Sequence, residues 1–348
     1  MVTLVTGGTG FVGANIVRDL AGNGHQVVSF DINGPDQLLQ RFLGDDLSAV
    51  TFVQGDIVDR ASVERLGHDH RIEKIVHAAV YTVNREALEI ERSRDVVAIN
   101  LEGTANLLEL ARTQRVSRFV YVSSGAAYGT ALPGDQTLNE DTPPAPENLY
   151  GITKFASEMI TRRYGELHGI STASVRLSTP YGPMERVTGH RAVMSVFYDW
   201  IGRAVRGESI TAEDMDQGRD YIYVADIADG IRTVLDAPAL PHGLYNLTTG
   251  IWLTFQEILD AVIELSPGTP VNRPVASARL GSGGYSRGPL SGHRLFDDLG
   301  WTPKYDLKAG LADYIKWRSE ERRVGKECRS RWSPYHENKK KKKKHHYT

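Results

Sequence analysis

Short runs of β-branched residues alternate with stretches of helical periodicity through the first half of the sequence, and this constrains the fold more than any other feature. Val2–Thr6, Gln26–Asp31, Val50–Val53, Lys74–Ala79, Phe119–Ser123 and Ser171–Leu177 read as strands. Between them, Gly13–Gly22 carries Ile16, Val17 and Leu20 on one helical face. Val96–Arg112 does the same with Val97, Leu101, Leu107, Leu108 and Ala111, and Tyr150–Gly165 reads as a further helix. Strands with a helix between them imply crossover units and a parallel sheet buried on both faces. The expected fold class is therefore α/β, with a doubly wound parallel sheet. After about Thr179 the alternation loosens and Gly, Pro, Tyr and Trp become more frequent. That change predicts a smaller C-terminal substrate lobe, with Tyr221–Val224 and Leu244–Leu247 as strands returning to the main sheet. The expected division is 1–178 for a nucleotide-binding domain, 179–317 for mostly the substrate lobe, and 318–348 for a tail.

The tail reads as foreign to the fold. Residues 318–348 show no helical or strand period and end in six consecutive lysines before His345. One codon choice for Arg318-Ser319-Glu320-Glu321-Arg322 spells AGATCGGAAGAGCGT, the start of a common sequencing adapter, and a run of A gives the lysines. We read 318–348 as adapter read-through, expect it to be disordered, and exclude it from fold reasoning. The tail holds 12 Lys+Arg and 4 Asp+Glu, which leaves 29 basic and 39 acidic residues in the body. The body then has a formal charge of −10, where the whole chain has −2. An acidic body argues against a nucleic-acid partner. The only cysteine, Cys328, also lies in the tail, so the body offers no thiolate nucleophile and no Cys-based metal site. Hydrophobic content of 41% and charged content of 24% are ordinary for a globular chain. No stretch approaches the roughly 20 apolar residues of a membrane span, and the N-terminus lacks a signal-peptide pattern. The expectation is a cytoplasmic protein with no membrane partner.

Three groups of residues carry chemistry. Gly7, Gly10 and Gly13, with Phe11 and Val12, form a GxxGxxG loop between the first strand and the first helix. In that position glycines let the backbone approach a pyrophosphate on the helix N-terminus. Asp31 ends the second strand roughly 20 residues on, where a carboxylate accepts hydrogen bonds from an adenosine ribose and repels a 2′-phosphate. By itself Asp31 reads equally well as a turn former before Asn33-Gly34. Tyr150 and Lys154 are four apart and share a helix face. An ammonium beside a phenol lowers the phenol pKa and makes tyrosine a usable acid–base group. Tyr-x3-Lys is also common by chance on solvated faces. Ser123-Ser124, closing the preceding strand, offer a hydroxyl for a reacting oxygen. His68 and His70 sit in a polar stretch without a third ligand at metal spacing, so no metal is expected. Trp200, with Phe197 and Tyr198, reads as an aromatic helix face that is core or lines the substrate lobe.

Taken together, these motifs resemble the extended short-chain dehydrogenase/reductases, specifically the NAD-dependent epimerase/dehydratase family of the UDP-glucose 4-epimerase type. The resemblance runs over nearly all of 1–317. It adds Asp56 and Ile57 at an adenine-holding segment and Ala78 and Ala79 beside the cofactor. It also adds Asn100 with Gly103-Thr104, the VSSGAAYG run at Val122–Gly129, RLSTPYGP at Arg176–Pro183, GRDYIYVAD at Gly218–Asp226, and Leu299-Gly300-Trp301. The resemblance implies a Rossmann domain, NAD as cofactor, and a homodimer built on two long helices. It implies Ser124, Tyr150 and Lys154 as the catalytic set, with Tyr150 and Lys154 also touching the cofactor. The substrate would be a sugar or nucleotide sugar, contacted by Ser124, Thr179 and Arg219, with Arg279 as a second phosphate-binding arginine. Two departures bear on the reaction. Dehydratases of the family carry Asp-Glu after the serine position, where this chain has Gly125-Ala126, so elimination is disfavoured. Thr179 stands where many members have Asn. The expected activity is an NAD-dependent epimerase acting through a transient ketone, with a sugar dehydrogenase as the alternative and a non-catalytic dinucleotide-binding regulator behind both.

Overall fold

The computed structural model describes residues 1–83, 86–129, 136–188, 194–273 and 287–322. Its strands are β1 (Val2–Thr6), β2 (Gln26–Asp31), β3 (Val50–Gln54), β4 (Lys74–His77), β5 (Arg118–Ser124), β6 (Ser171–Leu177), β7 (Thr179–Tyr181), β8 (Ile210–Thr211), β9 (Gly218–Tyr223), β10 (Leu244–Leu247), β11 (Trp252–Thr254) and β12 (Val271–Asn272). The helices used below are α1 (Phe11–Gly22), α2 (Gln37–Leu43), α3 (Arg60–Asp69), α4 (Glu86–Val97), α5 (Gly103–Gln114), α6 (Leu149–His168), α7 (Val196–Arg206) and α8 (Val224–Asp236).

Seven strands form a parallel sheet in the order β10-β6-β5-β4-β1-β2-β3. The strand order reverses direction between β1 and β4. In open α/β sheets such a switch point leaves a crevice outside the carboxyl ends of the strands, where ligands bind. Apolar side chains cover both faces. Ile16, Val17 and Leu20 of α1 meet Ile227, Ile231 and Val234 of α8 on one side. Leu107, Leu108 and Ala111 of α5 meet Ile75 and Phe119 on the other. This two-sided burial is what the β-branched runs require.

The structure corrects three expectations. The run expected as one helix over Val96–Arg112 is α4 and α5 joined through a π turn, Ala98–Glu102. The extra residue in that turn is where Asn100 becomes buried. Of the two strands expected to return to the main sheet, only Leu244–Leu247 does so, as β10 alongside β6. The segment read as Tyr221–Val224 is β9, which pairs with β7 and β11 in a separate three-stranded sheet, and Val224 opens α8. The cause is aromatic packing, because Tyr221 and Tyr223 join Tyr181 and Phe197 in the lobe's own core. There Tyr181 stacks on Phe197 with centroids 4.0 Å apart. Third, residues 318–322 continue a helix that begins at 307. Arg318 lies 4.6 Å over the Tyr198 ring, and Ser319 Oγ donates back to the Ile315 carbonyl at 2.7 Å.

A buried ion pair fixes α6 on the sheet. Arg176 of β6 donates through Nε and Nη2 to Glu158 of α6, at 2.9 and 2.7 Å. Both side chains are buried, and the Ser123 hydroxyl of β5 donates to the same carboxylate. The Arg176 guanidinium also lies 4.4 Å over the Tyr128 ring. Removing one partner of such a pair strands a buried charge. Arg176→Met should therefore lower the unfolding free energy by about 3–5 kcal/mol, read from the denaturant midpoint. Replacing Glu158 as well, by Met, should recover most of that loss. A single variant as stable as the parent would contradict the assignment.

Candidate active site

The glycine loop is held by a close backbone approach. Gly7 has φ +70, and a Cβ on it would fall 2.8 Å from the Ala79 backbone at the end of β4. A Cβ on Gly13 would fall 2.0 Å from the Gly7 carbonyl, so the first turn of α1 can pack on the loop only with glycine there. Gly10 is the N-cap of α1, with no side-chain cap. The positive end of the helix dipole thus faces the crevice without a built-in anion.

Asp31 closes this end. Its carboxylate accepts from Thr9 N at 3.1 Å and from Asn33 N at 3.0 Å, so the turn role and the cleft-facing role coexist. Asp56 accepts from Val58 N at 2.9 Å, and Ile57 packs under Gly103. Ala78 and Ala79 follow β4, and Ala79 N donates to Thr6 Oγ1 at 3.2 Å. Beneath them His77 is buried, with Nδ1 2.8 Å from Thr6 Oγ1 and Nε2 3.0 Å from Thr104 Oγ1. Burial, helped by the nearby Lys154 charge, pushes the imidazole down to about 3. It is therefore a neutral structural bridge. Asn100 bonds both backbone groups of Tyr81, at 2.9 and 3.2 Å, and reaches Thr153 of α6 at 3.0 Å. It stands behind the wall of the cleft, which Ile99 lines in its place.

The other wall holds the catalytic candidates. Asn148 caps α6 through Gly151 N at 2.8 Å, and so sets where Tyr150 emerges. Lys154 follows one turn on, buried, with Nζ donating to the Val122 carbonyl of β5 at 2.7 Å. Its ammonium lies 6.0 Å from the Tyr150 ring centroid and 4.8 Å from that of Tyr121. Burial brings the Lys154 ammonium down to about 7, against the opposing pull of Glu158. Ser124 Oγ accepts from Ala126 N at 3.1 Å, which leaves its own proton for a ligand oxygen.

Gly7, Gly10, Phe11, Val12, Gly13, Asp31, Asp56, Ile57, Ala78 and Ala79 line the same cleft, of about 880 Å³, as Ser124, Tyr150, Lys154, Thr179 and Arg219. Thr179 opens β7, and Arg219 lies on β9 with its side chain exposed to the cleft. Its neighbour Asp220 is a buried carboxylate taken up by Thr248, Thr249 and Leu290 N. Arg279 lies outside the described residues. Trp200 and Phe197 are core of the lobe. Among the described residues no three His, Cys, Asp or Glu side chains are grouped to hold a metal.

Sequence reasoning missed two arginines that line the cleft. Arg186 donates to the Thr9 carbonyl at 3.0 Å and pairs with Asp36, the N-cap of α2. Arg287 stands at the opposite end, over Gly125. Neither lies in a periodic segment, so neither gave a signal beyond being a cation in a loop.

The cradle suits a dinucleotide. It offers a close glycine loop on an uncapped helix start, the Asp31 carboxylate on the cleft, and space running from that loop to Tyr150. A profile described as the NAD dependent epimerase/dehydratase family matches residues 3–247. A UDP-glucose 4-epimerase of Mycolicibacterium smegmatis is 30% identical over 322 residues, covering 91% of this chain and 98% of that protein. A dTDP-glucose 4,6-dehydratase of Xanthomonas campestris is 31% identical over 335 residues, covering 90% and 92%. The structure of a Thermus thermophilus UDP-glucose 4-epimerase complexed with NAD superposes with a TM-score of 0.76 at 29% identity, covering 91% of this chain and 99% of that one. The chain belongs to the NAD-dependent epimerase/dehydratase family, and NAD is its cofactor.

Proposed function

We propose that this protein is an epimerase of a nucleotide-linked sugar that works through a transient ketone at C4. The observation that carries the reading is one cleft lined by Ser124, Tyr150, Lys154 and the Arg219 cation together with the glycine loop. NAD, when bound beside them, supplies a group that accepts a hydride and returns it.

The chain's own groups do the rest. The Tyr150 phenolate takes the proton of the C4 hydroxyl and gives it back, and Ser124 donates a hydrogen bond to the same oxygen. Lys154 sets the charge beside that phenol and lies where it can reach a nicotinamide ribose. Arg219 grips the diphosphate, which keeps the ketone in place while it turns over. Gly125-Ala126 bring no carboxylate to the centre, which supports epimerisation over elimination. Exposed Ile90 and Val97 on α4, with Ile152, Met159 and Leu167 on the neighbouring α6, support a homodimer built on these two helices, which sedimentation of the purified chain reads directly.

Incubation with UDP-, dTDP- and GDP-sugars and free uronic acids, followed by product stereochemistry and absorbance at 340 nm, tests the reading. A C4 epimer without net NADH is expected, and Tyr150→Phe should lower turnover by at least about 10²-fold with NAD still bound. Net NADH release would favour the dehydrogenase alternative, and turnover surviving in Tyr150→Phe would sink the mechanism. NAD binding with no turnover of any sugar would favour the regulator.

Lys154 gives a pH signature. Its pKa is about 7 in the fold, against 10.5 for the ordinary side chain, so the unfolded chain binds more protons between those values. Its contribution makes the cofactor-free protein more stable as pH rises from 7 towards 10.5, and flat below 7. Lys154→Met should remove that slope from the melting temperature measured against pH. An identical slope in the two proteins would contradict the buried, charge-averse lysine.

A further inference from the structure

Of the two further arginines that line the cleft, Arg186 is engaged by Asp36 and the Thr9 carbonyl, while Arg287 has no task in the epimerase reading. Arg287 is half-buried, and its guanidinium lies over Gly125. A Cβ on Gly125 would fall 2.7 Å from one of its terminal nitrogens and 2.9 Å from its Cζ. Any side chain there would push the guanidinium away, so Gly125 is what lets this charge stand next to Ser124. The residue is anchored from behind. Three residues on, Leu290 N donates to Asp220 at 2.9 Å, and Leu290 bridges to Leu138. Asp220 is the opposite charge that acts on Arg287, yet its oxygens are engaged by Thr248, Thr249 and Leu290 N. Among the described residues, no hydrogen bond or ion pair takes up the Arg287 guanidinium. Burial brings it down to about 10, with Asp220 opposing that shift and Arg219 adding to it.

Sugar geometry limits what this cation can meet. A pyranose held with its C4 oxygen at Ser124 and Tyr150 brings one of the two ring neighbours of C4, C3 or C5, towards the residue beside Ser124. The diphosphate hangs from C1, across the ring, and falls to Arg219. Of the groups near C4, only a carboxylate at C6 carries a full charge. A partly desolvated guanidinium binds a carboxylate through two parallel hydrogen bonds, and a neutral hydroxymethyl group would leave it unmatched. A site whose polar group is left unpaired discriminates strongly against the wrong substrate.

We propose that the substrate is a nucleotide-linked hexuronate, with Arg287 pairing its C6 carboxylate. This rests on the C4-epimerase reading and adds the substrate class to it. The probes are UDP-glucuronate, UDP-glucose and UDP alone, on the parent protein loaded with NAD and on Arg287→Met and Arg287→Lys. The parent should show kcat/KM at least about tenfold higher for the uronate, and calorimetry should show the same order of binding. Arg287→Met should lose the uronate preference, with the fall at least about tenfold larger for the uronate than for glucose and mostly in KM. Arg287→Lys should recover part of it, and affinity for UDP alone should stay within about twofold. A parent that prefers the hexose would overturn the proposal. So would an Arg287→Met protein that loses affinity for UDP itself, since Arg287 would then be gripping the diphosphate. If neither sugar, nor any other sugar of the panel above, is epimerised, the functional reading fails on its own. In that case tighter uronate binding, lost in Arg287→Met, would still uphold the Arg287 assignment, and equal binding of the two sugars would overturn it.

Discussion

Helix α6 carries two of the three catalytic candidates, Tyr150 and Lys154, and its position on the sheet depends on the buried pair between Glu158 and Arg176. A buried ion pair is a weak source of net stability, because desolvation of two charges offsets their attraction. It is a strong constraint on position, since neither charge tolerates another environment. Here the carboxylate also takes the Ser123 hydroxyl, so β5, β6 and α6 meet at one point. Glu158 lies one turn beyond Lys154, and Lys154 lies one turn beyond Tyr150. The pair therefore sets the depth at which the ammonium reaches the Val122 carbonyl and the height at which the phenol emerges beside Ser124. A lysine so buried resists its charge, which makes its protonation responsive to what the cleft holds.

The cofactor half depends on distance more than charge. Gly7 and Gly13 are required because the backbone of one packs on the other and on Ala79, and any side chain would separate α1 from the sheet. Asp31 then ties the loop through Thr9 while facing the cleft. Arg186 reaches the same Thr9 from the segment after β7. A single loop residue is thus bracketed by an acid on its amide and a base on its carbonyl.

Much of this was legible in the sequence, because it rests on local periodicity and fixed spacing. The six strands of the first half, the glycine loop, Asp31 and the Tyr150–Lys154 turn are patterns within a few residues of one another. What the sequence left obscure depends on packing between distant segments. β9 could not be told from a sheet strand, because its destination is set by Tyr181 and Phe197. Asn100 was expected at the cofactor, and its burial behind the cleft wall could not be read, because the π turn that buries it has no sequence period. Arg287 was invisible for a like reason. Its importance comes from lying over Gly125, far away in the chain, and no spacing rule connects the two. The helix through 318–322 shows the converse, since residues set aside on their codons still extend a helix already under way.

The central claim is that hydride leaves C4 and returns to it inside one closed cycle, with Tyr150 handling the proton. A nucleotide sugar carrying deuterium at C4 tests this directly. Epimerisation in ordinary water should give a product that keeps the deuterium at C4, with no free NADH. Loss of the label to solvent, or its accumulation in released NADH, would contradict the account.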